Sequence, residues 1–331
     1  MYVLEKKKNG IEIRHNKYKM SYWGLLILLG LIFILLHLVF RKAPVEIRRA
    51  TPEGSILYQE RPLTDDEMQV LRNTPLLIGS LAYNSNIQVF RKRIEHLTGE
   101  SHQWHLFLYG LDSTNPQTLE DLQRWSLEDP KHVTVIPLLI QPKPKNRMAR
   151  MAMLRNALID TARATFKKGS FNSLDIPSSL SSVNSCDPDT LMLMYDSDHA
   201  GAMSKIGLVN AIQKLQVTPA VYAIAASGTH SLLPHVDILY DTFAECDMNG
   251  NPSLLCKVAL HSCLPPWTPM QSAFGGACLY RWSQLQTVSY PFFEGVCEHA
   301  SLHKLLYYKY GGCLLLSKNF HIYVNEQPSQ Y

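Results

Sequence analysis

The sequence lacks closely spaced cysteine pairs, and it has no cysteine before Cys186. Its seven cysteines all lie in the second half of the 331 residues, and none forms a C-x₂-C pair. A structural zinc knuckle is therefore disfavoured. The cysteines are compatible with disulfides in an oxidising compartment, and their odd number leaves at least one thiol unpaired within the chain.

Acidic residues are scarce at the start of the chain. The first 49 residues carry ten of the 32 lysines and arginines but only three of the 28 acidic residues, so the remainder has a net charge of −3. The basic excess is a membrane-flanking feature and gives no argument for a nucleic-acid partner. A glycosylation sequon with a permitted middle residue is also absent, and Asn184-Ser-Cys186 is only a rare variant of one.

Long apolar runs are missing with one exception, the 19 residues from Tyr22 to Phe40. As a helix this run would be roughly 28 Å long, close to the thickness of a bilayer core. It ends in Arg41-Lys42 rather than in a small-residue cleavage site. The sequence therefore predicts a cytoplasmic tail at 1–21, an uncleaved transmembrane helix at 22–40 and a lumenal remainder.

Residues 41–73 are polar and proline-containing, which predicts a stem that separates a catalytic domain from the membrane. Within it a short helix over Asp65–Arg72 is expected behind Thr64 as N-cap. From residue 74 onward, strand and helix signals alternate. Strands are predicted at 76–81, 105–109, 133–139, 190–195 and 220–226, and helices at 87–97, 118–125, 147–166 and 203–215. This alternation predicts an α/β sandwich with a mostly parallel sheet, whereas no regular pattern continues beyond Ala226.

Two acidic residues follow the most apolar of these strands. Asp196 and Asp198 come directly after the run Thr190–Tyr195, and side chains two apart on an extended chain point to the same side. Two hard oxygen ligands suit Mn²⁺ or Mg²⁺, which bind carboxylates together with phosphate oxygens of a substrate. The alternative is a turn in which the carboxylates bind their own backbone.

Other polar residues are candidates for the same site. Arg155 and Asn156 lie on the predicted helix 147–166, where a guanidinium could grip a phosphate and an amide could read a base or ribose. The alternative is that Arg155 pairs on a solvated face. Ser80 and Tyr195, in two of the predicted strands, are further candidates for nucleotide-sugar binding.

Near the C-terminus, Glu298, His299 and His303 form the densest polar cluster. The histidines are four residues apart, which places them on one face of a helix at a spacing that can bind a metal. Glu298 is a candidate base for an acceptor hydroxyl in an inverting reaction, or a residue that orients a sugar in a retaining one. Solvated or core helix positions are the alternative for all three.

Four stretches carry a family resemblance: ARMAMLRNALID at 149–160, MYDSD at 194–198, YDTFAECDMNGNP at 240–252 and GGACLYRW at 275–282. With the anchor and the stem, they make the chain resemble a type II membrane glycosyltransferase of the GT-A fold. More narrowly, it resembles the fungal capsule-associated alpha-1,3-mannosyltransferase family over roughly residues 75–325. One departure is that Cys297-Glu298 continues as His-Ala-Ser-Leu-His here, where the family has a further Cys and a Lys-Asp pair.

The resemblance implies a GT-A-like mixed sheet flanked by helices, with a nucleotide-sugar half at 74–226 and an acceptor half at 227–331. It implies transfer of a sugar, expected to be mannose from GDP-mannose, to a glycan hydroxyl in the Golgi or endoplasmic reticulum membrane. Mn²⁺ or Mg²⁺ would be held by Asp196 and Asp198, with His303 as a further ligand.

In this interpretation Glu298 and Asp241 are the catalytic candidates. Thr242, Gly275, Gly276 and His299 are candidates for contact with the acceptor or the donor sugar, although the glycines equally suit a tight turn. Two other functions stay open. One is a metal-dependent hydrolase, which is disfavoured because Glu298 precedes His299 instead of following it. The other is a non-catalytic, membrane-anchored glycan-binding domain.

Overall fold

The computed structural model describes residues 2–7, 10–15, 60–99, 101, 103–110, 115–136, 144–167, 189–197, 203–233, 236–239 and 264–323. By contact density the chain divides into two compact units, Met1–Glu46 and Ile47–Tyr331. In the first unit, β1 (Tyr2–Lys7) pairs with β2 (Gly10–His15) as an antiparallel hairpin. This hairpin lies in the segment predicted as a cytoplasmic tail, for which the sequence pattern predicts no strands.

The predicted transmembrane helix at 22–40 lies outside the described residues, as does most of the predicted stem. Among the helices that the structure does describe, none combines the length and the apolar character needed to cross a membrane. The anchor therefore stays a prediction of the sequence.

The second unit contains the helices and the large sheet. Its helices are α1 (Asp65–Asn73), α2 (Ile87–Thr98), α3 (Pro116–Glu128), α4 (Arg147–Lys167), α5 (Lys205–Val217), α6 (Trp282–Leu285) and α7 (Glu298–Tyr310). Its strands are β3 (Leu76–Ala82), β4 (Trp104–Gly110), β5 (Val133–Ile136), β6 (Leu191–Tyr195), β7 (Val221–Leu233), β8 (Val236–Leu239), β9 (Trp267–Met270), β10 (Ala277–Arg281) and β11 (Cys313–Tyr323).

Local sequence signals explain several of these boundaries. Helix α1 begins at a capping box in which the Thr64 hydroxyl accepts from the Glu67 backbone N–H and the Glu67 carboxylate accepts from the Thr64 backbone N–H. Helix α2 packs on the sheet through a buried stripe of Ile87, Phe90, Ile94 and Leu97 at helical spacing. Both helices confirm the sequence-based predictions.

The large sheet is mixed, as predicted. In the described part of the chain its order is β5-β4-β3-β6-β10-β7-β11-β9, with β8 paired to β7. Strands β3, β4, β5, β6, β7 and β11 run in one direction, and β8, β9 and β10 run in the other. The carboxyl ends of the central strands therefore meet at one edge, and the antiparallel strand β10 begins at that edge.

The second half of the chain is more regular than the sequence predicts. No regular structure was expected beyond Ala226, yet β7 continues to Leu233 and four more strands and helix α7 follow. The GGACLYRW stretch supplies β10, which is inserted antiparallel between β6 and β7. This prediction fails because the pairing of β10 depends on strands far away in sequence, and local periodicity does not record such partners.

Helices cover both faces of the sheet. Alternate strand residues such as Leu77 and Met192 face a core shared with α4, α6 and α7. Their neighbours, such as Ile78 and Leu191, face a core shared with α1, α2, α3 and α5. Of the cysteines that the structure describes, Cys278 and Cys297 are buried and Cys313 is partly buried.

Candidate functional site

The site is organised around the carboxyl end of β6, in the middle of the sheet. All five residues of β6 are buried, and the next residue, Asp196, continues the ladder by donating its backbone N–H to the Gly276 carbonyl at 3.0 Å. Strands β4 and β5 lie on one side of β3 and β6 lies on the other. Such a reversal of strand order opens a crevice at the carboxyl edge, where ligands bind in open α/β sheets.

Arg155 links the end of β6 to the start of helix α7. From α4, its Nη2 lies 3.2 Å from Asp196 Oδ1, and its Nε lies 3.3 Å from Glu298 Oε1 at the start of α7. The Arg155 side chain is only 3% exposed. The alternative that Arg155 pairs on a solvated face is therefore excluded, and the structure brings Arg155, Asp196 and Glu298 together.

The electrostatics of this triad favour full ionisation of the arginine. Burial by itself lowers the pKa of Arg155, but the charges of Asp196 and Glu298 outweigh it and raise that pKa above its usual value. The guanidinium also lies over the Phe274 ring, at 5.1 Å from its centroid. The site thus holds a buried cation between two carboxylates, a charge arrangement that costs free energy unless every member is paired.

Glu298 is the first residue of α7, where the positive end of the helix dipole favours a carboxylate. Its side chain is 7% exposed. Besides the contact with Arg155, Oε2 accepts a weak hydrogen bond from the Cys297 thiol at 3.7 Å. Glu298 is therefore held in one orientation by groups on both sides.

His299 lies beside Glu298 but makes few polar contacts. Its ring stacks on Phe274 with a centroid separation of 3.6 Å, and Nδ1 lies 3.5 Å from the Tyr290 hydroxyl. Within the part of the chain that the structure describes, Nε2 has no hydrogen-bond partner, and Glu298 Oε1 lies 3.9 Å from it. Burial first, then the charges of Arg155 and His303, hold the pKa of His299 well below its usual value, so the ring is neutral.

His303 packs deeper in the core, one turn further along α7. Its Nδ1 lies 2.9 Å from the Ser272 hydroxyl and its Nε2 lies 2.7 Å from the Tyr280 hydroxyl. Burial lowers the pKa of His303 to about 3. The sequence predicts His303 as a metal ligand, but in the structure both of its ring nitrogens are already engaged. The described residues also contain no group of three His, Cys, Asp or Glu that could hold a metal.

Asn156 is a positioning residue. Its side-chain nitrogen donates to the Tyr290 carbonyl at 3.0 Å, and its side-chain oxygen accepts from the Tyr290 backbone N–H at 2.6 Å. This pair of bonds fixes the segment before α7 against α4. In this structure the amide is therefore occupied by protein backbone, although the sequence predicts a contact with the nucleotide sugar.

Ser80 and Tyr195 lie inside the sheet. Ser80 is 1% exposed within β3, and Tyr195 is 1% exposed and packs on Phe90, 5.4 Å between ring centroids. Burial raises the pKa of Tyr195 to about 12. The structure places both side chains in core positions, whereas the sequence predicts a nucleotide-sugar contact for each.

Gly275 and Gly276 form a tight turn, with φ of 56° and 88°, that the Ala277 N–H closes by donating to the Phe274 carbonyl at 3.0 Å. A Cβ on Gly275 would lie 2.1 Å from the Ala226 carbonyl oxygen, so the turn packs directly on β7. The sequence leaves open whether Gly275 and Gly276 contact a sugar or form a tight turn. In the structure they form a tight turn. Asp198, Asp241 and Thr242 lie outside the described residues, and their roles stay predictions.

A polar cavity of about 290 Å³ lies at the carboxyl end of β3, next to the crevice. Its lining is rich in amides, with Asn84, Ser85, Asn86, Gln88, Asn115, Gln117, Thr118 and Asp121. Ser85 connects it to the Asp-Ser-Asp motif, since its hydroxyl lies 2.9 Å from that of Ser197, which in turn donates to the Leu81 carbonyl at 2.6 Å. The sequence gives no signal for this cavity, because asparagines before helices are typical N-caps.

Comparison with known proteins gives distant structural likeness only. No family model matches the sequence. No curated protein sequence matches it either.

Among solved structures, the chain is similar to the Pyrobaculum calidifontis mannosyltransferase PcManGT in complex with GDP-Man and Mn²⁺, at 10% identity and a TM-score of 0.45 over 93% of this chain and 68% of that one. It is similar to S. aureus TarS residues 1–349 at 12% identity and a TM-score of 0.43, over 76% of this chain and 60% of that one. It is also similar to GalNAc-T7 with UDP, GalNAc and Mn²⁺ at 9% identity and a TM-score of 0.46, over 78% and 45%. At these values the likeness carries no argument about function, which must come from the site itself.

Replacing the two histidines of α7 should change the free energy of unfolding by different amounts. His303→Phe should lower the free energy of unfolding by about 1–3 kcal/mol, because it removes two buried hydrogen bonds. His299→Phe should change it by less than about 1 kcal/mol, because the new ring keeps the stack on Phe274 and no short hydrogen bond is lost. Urea unfolding of the two variants checks this, and an equal loss in both would contradict the contacts described for them.

The same histidines predict acid sensitivity. A histidine whose folded-state pKa lies below the unfolded value of 6.5 stabilises the fold fully above pH 6.5 and loses this contribution as pH falls toward the folded pKa. Between pH 7 and pH 5 His303, whose folded-state pKa is about 3, should therefore cost about 2 kcal/mol, and His299 should add a loss of the same sign.

Because the His299→Phe variant has one such group fewer, its unfolding free energy should fall less than that of the wild type over that interval. Urea unfolding at both pH values measures the difference. Identical pH dependence in the two proteins would show that His299 is not held neutral.

Proposed function

We propose that this protein is a glycosyltransferase that moves a sugar from a nucleoside-diphosphate donor to a hydroxyl group with the help of a divalent metal. The observation that carries the proposal is the buried Arg155, which binds Asp196 at the carboxyl end of β6 and Glu298 at the start of α7. Ligands bind at the carboxyl edge of open α/β sheets. An arginine at this edge can bind phosphate, and a carboxylate beside it can bind a metal, so the arrangement suits a substrate that carries both.

The residues proposed as metal ligands suit Mn²⁺ or Mg²⁺. Asp196 offers a hard oxygen ligand at the crevice, is 20% exposed, and already attracts a positive group, the guanidinium of Arg155. Asp198 is proposed as the second ligand. When bound, such a metal supplies compensation for the negative charge of a diphosphate leaving group. Arg155 would contribute to the same end by binding phosphate oxygens.

We assign the amide-lined cavity to the nucleoside part of the donor. Amide side chains both donate and accept hydrogen bonds, as recognition of a base edge or a ribose requires. The cavity lies on the β3 side of the crevice, and the Ser85–Ser197 contact joins it to the residue between the two proposed metal ligands. Nucleoside and diphosphate would thus occupy neighbouring parts of one edge.

Glu298 is proposed to position the sugar, because Arg155 and the start of α7 hold its carboxylate in one orientation. In an inverting reaction it would instead be the base that takes the acceptor proton, the alternative that the sequence leaves open. Asp241 and Thr242 are proposed as further contacts to the sugars. The hydrolase alternative loses one of its proposed metal ligands, since both ring nitrogens of His303 are engaged by Ser272 and Tyr280 in the core.

For the donor we propose GDP-mannose and for the acceptor a glycan. Support comes from the resemblance of four sequence stretches to the fungal capsule-associated alpha-1,3-mannosyltransferases. The proposed location is the Golgi or endoplasmic reticulum membrane, supported by the apolar run at 22–40 and the basic residues around it. Resistance of the full chain to extraction at alkaline pH, together with protease protection of its C-terminal part in sealed microsomes, would test this location.

The function is tested by incubating the purified full chain with a panel of nucleotide sugars, Mn²⁺ and a mixture of mannosides, and measuring nucleotide release. We expect release from one donor above all others, its loss on chelation, and recovery when Mn²⁺ is returned. Release from no donor, or release that is insensitive to chelation, would contradict the proposal. Preferential use of another nucleotide sugar would retain the glycosyltransferase and replace only the mannose assignment.

A further inference from the structure

The two halves of α7 lie in different environments. Residues in the first half, such as Glu298 and Leu302, are buried against the sheet. In the last two turns nearly every side chain is exposed, including Tyr308 at 71%. We call this exposed end the aromatic–lysine tip, and it consists of Lys304, Leu305, Tyr307, Tyr308, Lys309 and Tyr310.

The tip presents apolar and aromatic surface together with positive charge. Lys304 Nζ lies 6.0 Å from the Tyr308 ring centroid, and Lys309 Nζ lies 5.6 Å from that of Tyr310. Lys309 also donates to the Thr287 carbonyl at 2.9 Å, and the Tyr310 hydroxyl contacts that of Thr287. These contacts hold the lysines beside exposed rings.

No carboxylate or amide side chain accompanies them in the sequence. From His299 to Lys318 the chain contains no Asp, Glu, Asn or Gln, although residues 50–331 as a whole carry a net charge of −3. The positive charge of the tip is therefore a local exception. It is complementary to an anionic surface.

This composition distinguishes between two occupants. A glycan platform pairs aromatic rings with carboxylates and amides that bind sugar hydroxyls, and such side chains are absent from this segment. Tyrosine, leucine and lysine together are typical of the membrane interface, where rings lie at the headgroup level and lysines reach anionic lipid headgroups.

We propose that the aromatic–lysine tip binds the surface of an anionic lipid bilayer. The apolar rings of the tip enter the headgroup region and the two lysines pair with lipid phosphates and carboxylates. The surface is separate from the Asp196–Arg155–Glu298 site, so the proposal is independent of the enzymatic one. It also needs no transmembrane helix.

Oxidative footprinting of tyrosine side chains tests this in the full chain. The protein is placed in nanodiscs of phosphatidylcholine, with or without phosphatidylserine, and hydroxyl-radical labelling is measured by mass spectrometry. We expect Tyr308 to be labelled at least about threefold more slowly in the anionic discs, because its ring would enter the headgroup layer. Tyr83, which is 39% exposed and lies outside the tip, is the internal control and should be labelled equally in both.

The double variant Lys304→Glu/Lys309→Glu should abolish the difference between the two lipids. It should stay folded with only a modest fall in its unfolding midpoint, because both side chains are exposed and Lys309 loses only surface hydrogen bonds to Thr287. Equal labelling of Tyr308 in both lipid compositions would overturn the proposal. So would protection that follows protein concentration instead of lipid charge, since that result indicates a second copy of the chain as the occupant.

Discussion

Replacing Arg155 by methionine should lower the free energy of unfolding by about 3–5 kcal/mol, the cost of leaving buried carboxylates without their cation. Methionine fills similar space and packs on Phe274, so loss of charge is the main change. The expected cost is large because Asp196 and Glu298 both bind this one guanidinium, and Glu298 is 7% exposed. Urea unfolding at pH 7 measures it.

Two matched variants keep this prediction specific. Arg147→Met, at the exposed first residue of the same helix, should change stability by less than about 0.5 kcal/mol. Arg155→Lys keeps the charge but loses the planar fork, so it should fall between the wild type and Arg155→Met. Equal stability of Arg155→Met and Arg147→Met would mean that the triad contributes nothing to the fold.

The largest functional effect is expected at Asp196. Asp196→Asn preserves the shape of the side chain but removes the charge proposed to hold the metal. Without the metal the transition state would lose several kcal/mol of stabilisation, which corresponds to a fall in kcat/KM of about 10³-fold or more. The free energy of unfolding should change far less than in Arg155→Met, because Arg155 keeps its contact with Glu298. Initial rates of nucleotide release from the donor identified by the panel measure the effect.

Asp129→Asn is the matched control. Asp129 is a surface acid that pairs with His132 at 2.8 Å, away from the carboxyl end of β6. Its replacement should leave turnover unchanged. If Asp196→Asn retained wild-type turnover while Asp129→Asn behaved as expected, the metal role of Asp196 would be rejected.

The fold was largely predictable where local signals decide it. The apolar run that ends at Tyr195 gave a buried strand, and the helical stripe from Ile87 gave α2. The antiparallel strand β10 was not predictable, because its partners β6 and β7 are brought together only by the completed sheet. Hydrophobic periodicity within a segment indicates whether it forms a strand, but it does not indicate the position of that strand in the sheet.

The sequence singled out the charged residues that the structure brings together, and much less the neutral residues around them. Arg155, Asp196 and Glu298 were identified as separate candidates, and folding joins them across 143 positions of sequence. The spacing of His299 and His303 correctly placed both on one face of α7. It could not show that this face is buried, where Tyr280 and Ser272 engage one ring and Phe274 covers the other.

Asp196 is proposed to belong to a metal-dependent nucleotide site at the carboxyl edge of β6. The most direct measurement is calorimetric titration of GDP and of UDP into the full chain, with and without Mn²⁺, and into Asp196→Asn. We predict that one nucleotide binds the wild type only with Mn²⁺, and at least about 100-fold more weakly in the variant, a difference of about 2.7 kcal/mol. Binding that is equally tight without Mn²⁺ and in Asp196→Asn, or no binding of either nucleotide, would mean that Asp196 holds no metal-dependent nucleotide site.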